Sequence, residues 1–71
     1  MTLPIGTYVV DTRTGRVGRF MGPTGPFVAL RPVGGGREWE CDPDEVRPAT
    51  AAERISATTA YVNARSRGEV T

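Results

Sequence analysis

The side chains best suited to chemistry crowd into one acidic run: Glu38, Glu40, Asp42, Asp44 and Glu45. Carboxylates this close together are the raw material for general acid–base work or for a hard cation. Alternation along an extended segment would put Glu38 and Glu40 on one face with Asp42 nearby. The order of acids is not that of a D-x-[DN]-x-[DN]-G calcium loop. Asp42-Pro-Asp-Glu45 instead has a capping acid, a proline at the first helical position and acids in the first turn, which is the signature of a single 3₁₀ turn. We therefore expect no metal site and no cofactor. The chain has no histidine, and its serines, Ser56 and Ser66, fall on a predicted helix. No catalytic residue is assigned, and the expectation is that the protein is not an enzyme. Gly34-Gly-Gly-Arg37 lacks both the Lys-Ser/Thr pair and the following helix of a phosphate cradle, and reads as a hairpin loop.

What remains are binding chemistries. Trp39 has two readings: filler for a small core, or the anchor of a protein-binding groove. Ile55 and Val62 belong to the thin apolar stripe of the predicted helix, where a partner or a second copy of the chain could dock. Arg54, Tyr61 and Arg65 fall on one helix flank at 100° per residue. Guanidinium groups beside an aromatic suit bases or an acidic surface, or form no more than an exposed i,i+4 pair. Arg13, Arg16 and Arg19 along the first hairpin complete a candidate nucleic-acid-binding set.

The elements that must position these residues follow from pattern. Strands are expected near 7–12, 16–21, 27–31, 37–41 and 46–49, from runs of β-branched and aromatic residues between glycine and proline turns. Gly18 inside the second run predicts a bulge or a close backbone approach. Gly22-Pro-Thr-Gly-Pro26 is expected to stop that strand. In the third run Val28 and Leu30 should face the core, because Arg31 must reach water. Period 2 puts Trp39 and Cys41 together on one side and Glu38 and Glu40 on the other. Thr50-Ala-Ala-Glu53 is a capping box that opens a helix near 51–67, with Gly68 past its end and Arg65 and Arg67 complementing its dipole. Its apolar stripe is Ala51, Ile55, Thr58 and Val62. A helix of this length is marginal alone in water and must dock to persist.

This order of elements resembles an SH3-like barrel: mainly β, five strands, a 3₁₀ turn at 42–45 and an appended C-terminal helix. Residues 1–49 would form the barrel and 50–71 the helix and tail. Ile5-Gly-Thr-Tyr-Val-Val-Asp-Thr-Arg-Thr-Gly-Arg-Val-Gly-Arg-Phe20 is similar to the opening of KOW- or Tudor-type barrels. The first of these implies contacts to RNA, the ribosome or RNA polymerase; the second, like SH3 domains, implies peptide recognition. The chain has neither the aromatic cluster of a methyl-lysine cage nor the acidic and aromatic loop of a proline-motif reader, so the resemblance carries a fold and no ligand.

Composition bounds the rest. A chain of 71 residues makes one domain that buries only about 60% of its unfolded surface, which leaves little room for a deep pocket. All nine basic residues are arginine, a bias that with abundant Ala, Gly and Pro fits a high-GC, actinobacterial type of gene. The net charge is +1, segregated as about +4 over residues 1–37, −5 over 38–45 and +2 thereafter. A dedicated DNA binder is usually far more basic. There is no signal-peptide pattern and no apolar run of membrane length, and a lone cysteine suits a reducing cytoplasm. The expected function is a non-enzymatic module for protein–protein binding through the barrel face or the helix, with a homodimer through the helix as one form. The alternative is a weak KOW-like factor associated with nucleic acid, the ribosome or transcription.

Overall fold

A computed structural model describes residues 3–66, with side chains to Asn63. Five strands, β1 (Tyr8–Asp11), β2 (Arg16–Thr24), β3 (Phe27–Pro32), β4 (Trp39–Cys41) and β5 (Val46–Pro48), form one antiparallel sheet ordered β4-β3-β2-β1-β5. A 3₁₀ turn, Pro43–Glu45, joins β4 to β5, and helix α1 (Ala51–Ser66) follows. The turn is capped as expected, with the Asp42 carboxylate accepting from the Asp44 amide at 2.9 Å. The expected helix end at Arg67 and the Gly68 cap lie outside the described residues.

β2 does not stop at Met21. It continues through Gly22-Pro23 to Thr24, and only Gly25 and Pro26 form the turn. The reason is a bulge between Phe20 and Gly22, where Gly22 takes a φ of 106° that favours glycine. The bulge absorbs the kink, and Pro23 pairs with Val28 beyond it. Gly18 has the other predicted role, close approach. A Cβ there would lie 2.7 Å from Cη2 of Trp39 and 2.9 Å from the Arg31 carbonyl.

Directly opposed residues in a sheet share a face. The pairs Val9 with Gly18, Phe20 with Leu30, Val28 with Cys41, and Asp11 with Val46 define the inner face. Its core is Val9, Phe20, Val28, Leu30, Cys41 and Val46, with Leu3 and Trp39 packed against it. Val28 and Leu30 are buried as their alternation predicts. The sheet is strongly curled, because the Trp39 side chain on edge strand β4 reaches Asp11 on β1. No ladder joins β4 to β5 among the described residues. The turn between them ties in instead: the Glu45 carbonyl accepts from the Thr12 amide at 2.8 Å and from the Thr12 hydroxyl at 3.0 Å.

Helix α1 lies on the outer face. Its capping box forms in both directions, Glu53 amide to Thr50 Oγ1 at 3.1 Å and Thr50 amide to Glu53 Oε1 at 2.9 Å. Arg47 of β5 grips the same carboxylate with two nitrogens, at 2.8 and 2.6 Å. Glu53 sits on the same side of the helix as the residues four and eight further on, Ala57 and Tyr61, which turn inward and are half-buried. The helix therefore covers the sheet with a different side from the expected stripe. Ile55 and Val62 point to solvent, 65% and 50% exposed, and Ala51 and Thr58 are exposed as well. Val10, which shares the outer face with Val17 and Arg47, is buried at 3%. No helix among the described residues is long and apolar enough to cross a membrane.

Candidate functional site

Among the described residues one charged side chain is fully buried, Asp11 on the inner face. Alternation forces it there: a strand that sends Val9 inward sends Asp11 inward too. Its oxygens are matched by donors. The Trp39 indole Nε1–H donates to Oδ2 at 3.1 Å, and the Arg13 amide donates to Oδ1 at 3.0 Å. Burial pushes the Asp11 carboxyl up, but these hydrogen bonds, the Cys41 thiol and the Arg13 charge outweigh it, so the group titrates below its ordinary value. Beside it the Cys41 thiol is pushed up to about 11, by burial first and then by the Asp11 charge. A thiol so protonated is a poor nucleophile. Asp11 thus acts as a fastener for the curl of the sheet.

Trp39 is engaged at three points. Its N–H is committed to Asp11, its ring edge lies over Gly18, and the Arg16 guanidinium stands 4.0 Å from a ring centroid. The ring packs on the core yet stays half-exposed under a cation.

Two surface features surround this frame. The first is an open groove of about 640 Å³ between helix and sheet, with Val17, Pro32 and Val33 facing Ala52, Ala57 and Ala60. Alanine side chains are too short to fill the space under a helix, which is why the groove exists. Arg16, Glu53 and Tyr61 also border it. Tyr61 packs against Gly34, where a Cβ would overlap its ring. The second feature is a row across the outer face: Arg31 of β3 opposite Arg19 of β2, and Arg19 opposite Tyr8 of β1. The Arg54 guanidinium of α1 stacks on the Tyr8 ring at 4.5 Å.

The residues singled out from sequence are dispersed by this arrangement. Arg16 and Arg19 take opposite faces of β2, and Arg13 sits exposed in the turn before it. Arg54 and Tyr61 are both on the sheet-facing half of α1, one on Tyr8 and the other on Gly34. The Arg65 side chain lies outside the described residues. Trp39 is in the curl, while Ile55 and Val62 are together on the helix's outer side. Asp11 and Arg31 went unselected. Asp11 could have been found from its spacing of two from Val9; the pairing of Arg31 depends on register and left no local signal. Among the described residues no three His, Cys, Asp or Glu side chains group closely enough to hold a metal ion. No protein-family model, no curated protein and no solved structure matches the chain.

Proposed function

We propose that this protein is a non-enzymatic interaction module, an SH3-like barrel whose appended helix creates a docking groove for a segment of another protein. The barrel reading is supported by the curl that brings Trp39 to Asp11. The observation that carries the functional reading is the groove between α1 and the β2–β3 rim. Its walls are mostly aliphatic, from Val17, Pro32, Val33, Ala52, Ala57 and Ala60, so an extended partner segment with small apolar side chains fits it. Glu53 is already neutralised by Arg47, which holds it down at about 2. Arg16 has no acidic partner among the described residues, so a carboxylate on the partner segment complements that end. Work in the cytoplasm accords with a single, buried, free thiol.

The test sorts a display library of short random peptides against the wild type and against Ala60→Trp, which fills the groove. Enriched peptides should carry an acid beside small apolar residues, bind the wild type and fail on the variant. Their binding should also change the emission of Trp39, the chain's one tryptophan, by disturbing the Arg16 stack. Peptides that bind both proteins equally, or no enrichment at all, would sink the groove as the docking site.

A further inference from the structure

The outer face carries an arrangement that packing alone does not call for. Arg19 and Arg31 are direct cross-strand partners, and like charges directly opposed destabilise a sheet pair. Side chains so placed stand about 5 Å apart. Tyr8 extends the row on the other side of Arg19, and Arg54 reaches down from α1 to stack on it. Three guanidinium groups therefore border one strip of surface where helix meets sheet. The one ion pair among the described residues is Arg47–Glu53, so none of the three is neutralised there. The nearest acid by register is Glu40, opposite Ala29 and so diagonal to Arg31; it is exposed and bonds to none of them. Arg31 is half-buried, and its Nε is buried with no acceptor among the described residues. A buried N–H without a partner is an unfavourable arrangement.

We infer that the Arg31–Arg19–Tyr8–Arg54 row is a binding strip for the phosphate backbone of a single-stranded nucleic acid. Guanidinium forks match phosphate oxygens bidentately, and a line of three suits a linear polyanion better than one isolated carboxylate. Tyr8 is covered by Arg54, so it offers no free face for stacking on a base. Recognition on this strip reads the backbone and not the sequence. The strip is separate from the groove and stands or falls independently of it.

The experiment measures anisotropy of a labelled single-stranded RNA of random sequence across a salt series. Three contacts predict a slope of log K against log salt of about −2, at about −0.7 per phosphate on a single strand. The variant Arg19→Ala/Arg31→Ala should cut affinity roughly tenfold at low salt and bring the slope to about −0.7. Arg13→Ala/Arg37→Ala removes the same charge from exposed positions off the row and should leave both nearly unchanged. Arg31→Met tests folding separately: the buried unpaired N–H goes, so the melting temperature should hold or rise while RNA affinity falls. An equal loss in the Arg13/Arg37 variant would overturn the strip, leaving only diffuse attraction. Polyglutamate competing as strongly as unlabelled RNA would overturn it in favour of an acidic protein partner.

Discussion

The two faces of this sheet treat buried polarity in opposite ways. On the inner face Asp11 is fully buried and matched by the Trp39 indole and the Arg13 amide. On the outer face Arg31 is half-buried, opposed by another arginine, and its Nε lacks an acceptor among the described residues. A satisfied buried charge helps hold a fold together, whereas an unsatisfied buried group is costly and calls for an explanation. The inner face is thus where the fold is secured, and the outer face is where we propose binding.

The strongest way to break this contrast is Asp11→Ala. It leaves two donors without an acceptor and should cost about 2–4 kcal/mol, a large share of the on the order of 5 kcal/mol that holds such a chain together. Chemical denaturation followed by Trp39 emission reads it. Asp11→Asn keeps acceptor oxygen and should lose less. If Asp11→Ala unfolds no more easily than a surface variant, the curl is secured elsewhere.

Next in size is Gly18→Ala. The new Cβ meets the Trp39 ring at 2.7 Å and the Arg31 carbonyl at 2.9 Å, and the backbone cannot swing away as a flexible side chain would. Overpacking of this kind costs about 1–3 kcal/mol. The variant should also loosen the Arg16 stack, seen as a shift in Trp39 emission.

Acid gives the smallest effect and is read most directly on the helix. Glu53 is held at about 2 by Arg47 and the Thr50 amide. Because its pKa in the folded state lies below the ordinary 4.5, its contribution is complete above 4.5 and vanishes as pH falls through about 2. Asp11 is lowered too, so its contribution is likewise lost on the acid side of its ordinary value. Helical circular dichroism should therefore hold to about pH 4.5 and decline toward pH 2. Glu53→Gln should show the reduced signal already at neutral pH. A helix signal indifferent to both changes would show that the cap and fork do not anchor α1.

Cys41 runs the other way. Its thiol is raised to about 11 from 9.0, so the neutral form's contribution is present below 9.0 and lost between there and about 11. The buried Asp11 beside it makes that ionisation worse, which ties the inner face to alkaline as well as acid limits.

Much of this architecture was legible along the chain. The 3₁₀ turn at Asp42–Glu45 and the Thr50–Glu53 box depend on groups within three residues of one another, and both formed as their spacing implies. The Val28 and Leu30 alternation likewise needs only its own strand. The extent of β2 was not legible, because Gly22-Pro23 has turn chemistry that pairing with β3 overrides. Nor was the docking side of α1. Its most apolar residues, Ile55 and Val62, argue for one side, while the helix packs with the side that carries Glu53, Ala57 and Tyr61.

The sequence by itself determined the segments: which stretches extend, where they turn, and how the helix begins. Those choices rest on contacts a few residues apart, present whatever the rest of the chain does. The tertiary structure alone decided which residues meet. Extending the register of Thr24 with Phe27 and Gly22 with Ala29 straight back would set Phe20 opposite Arg31. The bulge after Phe20 shifts the ladder by one, giving Phe20 to Leu30 and Arg19 to Arg31. A one-residue shift exchanges inner for outer partners. The core pairing and the arginine row therefore come from the same bulge, which only packing between strands could select.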